Sequence, residues 1–250
     1  MAGAALELVG VGLEIGGARI LTDVSLAVAP HEMVGVIGPN GAGKTTLFNV
    51  ISGITAPTSG RVLLSGSDVT GHRVFHRAAA GLGRTFQSSN VFDRLTVHEN
   101  VRLAVQANAG GASSLLHFPR AGDSASTMTD EYLLAVDLQP RSNSRAGEMS
   151  HGDKRKLEIA MLLAGEPEVV LLDEPLAGVA SGDVDGLAEI IHTLHASGKT
   201  ILMVEHHLEV LLGLVDTVAV MHHGELLAFG TPAEITANLA VQSAYLGDPL

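Results

Sequence analysis

One stretch, MVGVIGPNGAGKTTLFNVISG from Met33 to Gly53, constrains this chain more than any other. MVGVI reads as a buried strand, a glycine-rich turn follows, and a helical pattern starts near Lys44. Within it GPNGAGKT fits G-x-x-x-x-G-K-[ST] in the strand–turn–helix setting that the motif requires. The glycines in Gly38-Pro39-Asn40-Gly41-Ala42-Gly43 let backbone N–H groups wrap a phosphate. The helix N-terminus adds the positive end of its dipole. Lys44 can reach β- and γ-phosphates, and the Thr45 hydroxyl can ligate Mg²⁺. The competing reading is an ordinary glycine turn before a helix.

A second element complements the first. EVVLLDEP is an apolar strand that ends in Asp173-Glu174. Buried parallel strands seldom end in two carboxylates unless these face a site, because unpaired buried charge is costly. Asp173 is placed to hold a Mg²⁺ shell, and Glu174 to accept a proton from an attacking water. Taken alone, the pair also reads as a solvated strand end before a proline turn.

The rest of the pattern is α/β. Early strands are expected at LELVGVGLEI, VSLAV, MVGVI and RVLLSG, and a mainly helical stretch from about His72 to Leu138. There TVHENVRLAVQAN opens with a capping box, Thr96 to Glu99, and AGGASSLLHFPRAGDSAS reads as a Gly/Ser-rich loop. After Ser150, helices alternate with the strands VVLLD, TILMV, TVAVM and ELLAF, and TPAEI from Thr231 opens a last helix, with Pro232 at its first position and Glu234 completing a capping box. Such alternation implies a parallel sheet covered on both faces.

Composition narrows the classes. The chain has 250 residues, enough for one large domain or a domain with a subdomain. A net charge of −12 argues against a nucleic-acid partner. There is no cysteine, hence no disulfide framework and no thiolate site. The opening MAGAALELVGVGLEI carries Glu7 and Glu14 without a basic run, so no signal peptide is expected. No apolar run approaches the roughly 18 residues of a membrane span, so any membrane role is expected through a partner. Apart from His206, the twelve histidines are read as surface or turn residues, and the basic helix VFHRAAAGLGR as a solvated face.

With these motifs in hand the chain resembles the nucleotide-binding subunits of ABC transporters over nearly its whole length. GPNGAGKTT, ending in Thr46, matches the Walker A and VVLLDEP the Walker B. RTFQ places Gln87 at the Q-loop glutamine, which the resemblance assigns to Mg²⁺ and to the membrane partner. VEHH places His206 at the switch histidine, which contacts the γ-phosphate. MSHGD occupies the signature position, so Ser150, His151, Gly152 and Asp153 are expected to face ATP held by a second subunit. Ser150 is also a natural helix N-cap, and Lys154 and Lys156 are expected to add positive field there. RTFQSSNVFDRLTVHENV, VEHHLEV and the ending AYLG are similar to branched-chain amino-acid uptake ATPases, and MSHGDKRKLEIAMLL to their urea- and amide-transporting relatives.

The resemblance implies a single nucleotide-binding domain over residues 1–250: a P-loop ABC ATPase core, an antiparallel β subdomain and a helical subdomain at about 88–155. It implies ATP and Mg²⁺, catalysis by Lys44, Glu174 and His206, and a homo- or heterodimer on permease subunits at the cytoplasmic face of the membrane. An extracytoplasmic solute-binding protein would act indirectly. Two rivals are a soluble ABC-type ATPase on DNA or ribosomes, which would be expected to carry a coiled-coil insertion, a second cassette or a basic face, and a P-loop kinase, which needs no signature.

The sequence departs from the family pattern in three places. Ile15 stands where an aromatic usually stacks on adenine, His151 and Asp153 replace a Gly and a Gln in the signature, and Ala180 ends a turn that usually ends in Asp. The first departure removes about 1 kcal/mol of π contact. GTP should therefore bind within about tenfold of ATP, since a factor of ten is about 1.4 kcal/mol. Competition titration with both nucleotides checks this, and a hundredfold preference for ATP would show that another contact reads the base.

Overall fold

The computed structural model describes residues 3–85, 91–110 and 124–246. The chain divides into two compact units, Met1–Arg84 with Glu168–Glu174 and Leu194–Leu250, and Thr85–Pro167 with Pro175–Thr193.

The first unit contains two sheets. β1 (Leu6–Ile15), β2 (Ala18–Val28), β4 (Ser59–Leu64) and β5 (Ser67–Asp68) form an antiparallel sheet in the order β2-β1-β4-β5. β3 (Met33–Ile37), β6 (Leu82–Arg84), β7 (Val169–Asp173), β8 (Thr200–Val204), β9 (Thr217–His222) and β10 (Glu225–Gly230) form the other, in the order β10-β9-β3-β8-β7-β6. β3, β6, β7, β8 and β9 pair in parallel, and β10 runs antiparallel at the edge. Every residue of β3, β7 and β8 is buried, whereas β10 alternates exposed with half-buried positions. That is the contrast between strands covered on both faces and an edge strand covered on one.

α1 (Lys44–Ser52) places Leu47, Phe48, Val50 and Ile51 in a core shared with Leu6 and Val11 of β1, Val34 and Val36 of β3, and Leu171 of β7. α2 (Val74–Ala79) is exposed as expected at every residue but one, and the exception is its arginine. Arg77 is 1% exposed and donates to the carbonyls of Val50 (2.7 Å), Ile51 (2.6 Å), Thr70 (2.9 Å) and His72 (3.1 Å). The Val50 and Ile51 carbonyls belong to the last turn of α1, where i+4 partners run out, although Val50 O also accepts from the capping Gly53 N (3.2 Å). Burial lowers the pKa of the guanidinium from its ordinary value, and Asp68 raises it again. β6 is a further difference, since its residues fall in a stretch read as helical. Three residues including a glycine carry no periodicity, and only pairing with β7 defines the strand.

The remaining helices of this unit follow the expected pattern, with one break. α7 (Leu208–Leu214) precedes β9, and α8 (Pro232–Ala237) begins with the anticipated capping box between Thr231 and Glu234. The final helix is two helices, because Asn238 leaves helical geometry and its Oδ1 accepts from Ala240 N (2.9 Å) to start α9 (Leu239–Leu246).

In the second unit α3 (Val97–Gly110), α4 (Ser124–Ala135) and α5 (His151–Leu163) pack on one another, and α6 (Ser181–Ala196) lies largely in this unit. The capping box at the start of α3 is present, with Glu99 Oε2 accepting from Thr96 N (2.7 Å) and Thr96 Oγ1 from Glu99 N (3.1 Å). Most of the Gly/Ser-rich segment lies outside the described residues.

The Arg77 cluster yields a stability prediction. A hydrogen bond from a charged group contributes about 1.5–3 kcal/mol, and stranded carbonyls add a penalty. Arg77→Met should lower unfolding free energy by roughly 3–5 kcal/mol. Arg77→Lys should recover only part, because a single ammonium lacks the fork that spans these carbonyls. Urea denaturation measures both, and a loss below about 0.5 kcal/mol for Arg77→Met, the level of an ordinary surface change, would contradict the role.

Candidate nucleotide-binding site

Strand β3 is buried and stops at Ile37, and the chain then turns through residues that only glycine suits. Gly38 lies in the positive-φ region at φ 152°, and a Cβ there would collide with the Met221 carbonyl. Gly43 caps α1 at φ 99° against Leu21 and Ile20 of β2. Between them Ala42 N bonds Pro39 O (3.1 Å), and Gly224 N bonds Ala42 O (3.1 Å), so the β9–β10 turn braces the loop. Asn40 and Gly41 are exposed, Pro39 and Thr46 half-buried, and Thr45 exposed in the first turn of α1. A cavity of about 560 Å³ adjoins the loop, lined by Pro39, Asn40, Gly41 and Ala42 together with His222, His223 and residues of α9.

Lys44 is 7% exposed, and its Nζ donates to the carbonyls of Gly38 (2.7 Å) and Pro39 (3.1 Å). Burial lowers the ammonium below the ordinary lysine range, and the nearby Glu174 carboxylate pushes it back up. An ammonium held this way can exchange carbonyl partners for phosphate oxygens with little rearrangement.

Asp173 ends β7 and is 2% exposed, with Oδ2 2.8 Å from Arg84 Nη2. Glu174 follows at φ 50°, a left-handed conformation uncommon outside glycine, and its N–H bonds Val204 O (2.9 Å) at the end of β8. Such backbone strain clusters at functional sites. His206 Nε2 lies 3.0 Å from Glu174 Oε1. A carboxylate only accepts, so the imidazole donates from Nε2. The buried Glu205 accepts from His206 N (3.0 Å) and braces this turn. Lys44, Glu174 and His206 therefore belong to one charged neighbourhood in the first unit.

The second unit holds the other group. Ser150 is the N-cap of α5, its Oγ accepting from Asp153 N (3.1 Å). His151 is exposed and Gly152 buried, and the Asp153 carboxylate pairs with Arg141. Lys154 and Lys156 differ from the expectation of added field. Lys154 Nζ lies 3.1 Å from Asp93 and Lys156 Nζ 3.9 Å from Asp137, so much of their charge is compensated within the unit. Gln87 lies outside the described residues. Ile15 is 57% exposed at the end of β1. The sequence reading missed three participants: Arg84, Arg141 and Glu205. Arg84 stood inside the quoted RTFQ without an assignment, while nothing local marks Arg141.

Comparison with known proteins gives the family. The ABC transporter family model matches residues 21–177, and the model for the branched-chain amino acid ATP-binding cassette transporter matches residues 225–249. The high-affinity branched-chain amino acid transport ATP-binding protein LivG of Escherichia coli (strain K12) is 37% identical over 97% of this chain and 98% of its own. The lipopolysaccharide export system ATP-binding protein LptB of the same organism is 34% identical over 93% of this chain and 92% of its own. A solved ATP-binding cassette of an ABC transporter in its ADP conformation superposes with a TM-score of 0.85 at 29% identity, covering 98% of this chain and 99% of that one. The chain belongs to the ABC transporter family. It is the ATPase component of a membrane transporter, and the rival readings as a nucleic-acid or ribosome ATPase or a kinase are not favoured. Among the described residues no helix is long and apolar enough to cross a membrane.

Lys44→Ala should keep the fold, because the Pro39 carbonyl it releases is only part-buried and leaving the buried Gly38 carbonyl unmet costs about 1–3 kcal/mol, less than a domain's stability. It should weaken ATP binding at least about a hundredfold, which corresponds to roughly 2.7 kcal/mol from two charge-assisted contacts. Calorimetric titration of the folded variant checks this, with unchanged affinity as the contrary result.

Proposed function

We propose that this chain powers an importer of branched-chain or other hydrophobic amino acids, and that residues 1–250 act as a single nucleotide-binding domain with a helical subdomain near 88–155. The observation that carries the solute class is its 37% identity to LivG over 97% of the chain, together with the match of residues 225–249. Urea or amide import is the second reading, favoured by MSHGDKRKLEIAMLL, which spans α5. The partners would be permease subunits and a second ATPase subunit at the cytoplasmic face, with a solute-binding protein acting from the other side.

In this reading the Gly38–Thr46 loop and Lys44 hold the ATP phosphates. The Thr45 hydroxyl and the Asp173 carboxylate are hard oxygen donors of the kind Mg²⁺ takes, and with Gln87 they would hold that ion. When bound, Mg²⁺ supplies positive charge against the β- and γ-phosphate oxygens. Glu174 orients a water and takes its proton as the water oxygen bonds the γ-phosphorus and the bond to the ADP oxygen breaks. The His206–Glu174 contact supports this assignment, because it fixes the orientation of the carboxylate. Ser150 and Gly152 would meet the γ-phosphate of the opposite subunit, so that ATP closes the dimer and hydrolysis opens it. Affinity capture from native membranes, followed by uptake assays with leucine and with urea, tests the proposal. Recovery of an export permease would overturn it.

The role of Ser150 has a separate test. Glu174→Gln should bind ATP, hydrolyse it slowly and accumulate an ATP-bound dimer. Adding Ser150→Asp preserves the helix cap, since aspartate caps about as well as serine. It also sets a carboxylate against a γ-phosphate, and like charges juxtaposed at an interface cost several kcal/mol. The dimer should vanish in size-exclusion chromatography while monomers still bind ATP. Dimerisation equal to that of Glu174→Gln alone would leave only the cap.

A further inference from the structure

The buried contact between Arg84 and Asp173 is not accounted for by anything above. Arg84 closes the short strand β6, one strand over from the end of β7, and its side chain is 7% exposed. Its guanidinium meets Asp173 on one side and α1 on the other. Nη2 is 2.8 Å from Asp173 Oδ2, while Nη1 donates to Asn49 Oδ1 (2.9 Å) and Ser52 Oγ (2.7 Å). Asn49 and Ser52 lie on α1, the helix that begins with Lys44 and Thr45. Ser52 Oγ donates onward to Phe48 O (2.8 Å), which fixes its lone pairs toward the arginine, and the guanidinium carbon lies 5.8 Å from the centroid of the Phe48 ring.

A buried ion pair is a poor device for stability, since taking both charges out of water largely offsets their attraction. An apolar pair between β6 and β7 would hold the sheet edge as well. What the arginine adds is geometry. Its planar fork holds one carboxylate oxygen through Nη2 and α1 through Nη1, so the rigid guanidinium registers Asp173 against that helix. Thr45 and Asp173 come from separate elements, α1 and β7. A ligand bridging them needs the two elements in fixed register, and Arg84 touches both.

We propose that Arg84 is the positioning residue for Asp173, setting the carboxylate's orientation relative to α1 so that Thr45 and Asp173 bind the nucleotide's divalent cation together. The inference rests on the reading of Asp173 as a cation ligand. Without Arg84 the phosphate loop and Lys44 still bind metal-free ATP, but the added affinity conferred by the cation is lost.

The test compares ATP affinity in Mg²⁺ with affinity in EDTA, for the full chain. Arg84→Met should leave EDTA affinity within about twofold of wild type and reduce the Mg²⁺-dependent gain about tenfold. With Mn²⁺ in place of Mg²⁺, its electron paramagnetic resonance spectrum in the presence of ATP should lose the protein-bound signal. Arg84→Lys restores the charge without the fork, so it should recover only a minor part of the gain. A merely structural role would shift both affinities together or neither. If Arg84→Met fails to fold, Asn49→Ala/Ser52→Ala carries the test. That variant keeps the ion pair but removes its anchor on α1, and should lose about threefold of the Mg²⁺-dependent gain. Asp173→Ala separates the two levels. Its retention of the full gain would overturn the ligand reading and the proposal with it. Loss of the gain in Asp173→Ala but not in the Arg84 or Asn49/Ser52 variants would overturn the proposal alone.

Discussion

The site in the first unit depends on how α1 is held at its two ends. Nine residues are too few for a helix to be stable in water on its own. Burial of Leu47, Phe48, Val50 and Ile51 supplies the drive, and the ends supply the position. At the N-terminus, Gly38 and Gly43 let the chain leave β3 and re-enter helix against the β9–β10 turn and β2. At the C-terminus, Gly53 adopts φ 78°, and Arg77 donates to the carbonyls of Val50 and Ile51. A helix pinned at both ends keeps its N-terminus and Lys44 in a fixed position, and a helix N-terminus is where an anion is favoured.

The second dependence is electrostatic. Two carboxylates, Asp173 and Glu174, end a strand whose residues are otherwise apolar and buried. They are neighbours in sequence and differ in setting. Asp173 is nearly inaccessible and held by a guanidinium, whereas Glu174 turns outward at positive φ to meet His206. Adjacent carboxylates thus sit in separate environments, one tied to a guanidinium and one to an imidazole. Lys44 responds to the same neighbourhood, since burial and Glu174 pull its ammonium in opposite directions.

In the second unit, the start of α5 shows how a departure from a family pattern is accommodated. Asp153 adds a negative charge in the first turn, which suits the helix dipole but not an anion. Arg141 pairs with it, and Lys154 and Lys156 have aspartate partners of their own. The field at this terminus is therefore set more by the backbone and the Ser150 cap than by the basic run itself.

Much of the outcome was legible because it is local. A glycine-lysine-threonine turn between an apolar strand and a helix needs no distant partner to be recognised, and neither do the capping boxes at Thr96 and Thr231. Near-continuous apolar runs such as VVLLD and TILMV announce strands covered on both faces, since a half-solvated strand would alternate. What the sequence could not decide were pairings across tens of residues. β6 exists because Gly83 and Arg84 lie beside Val170 and Leu171. Arg77 is buried because α2 falls at the end of α1, although its local composition reads as a solvated face. Arg84 meets Asp173 across 89 positions of sequence. Periodicity reports which face of an element is apolar. Which charged groups lose their water depends on the elements that close over them, and only the tertiary structure decides that.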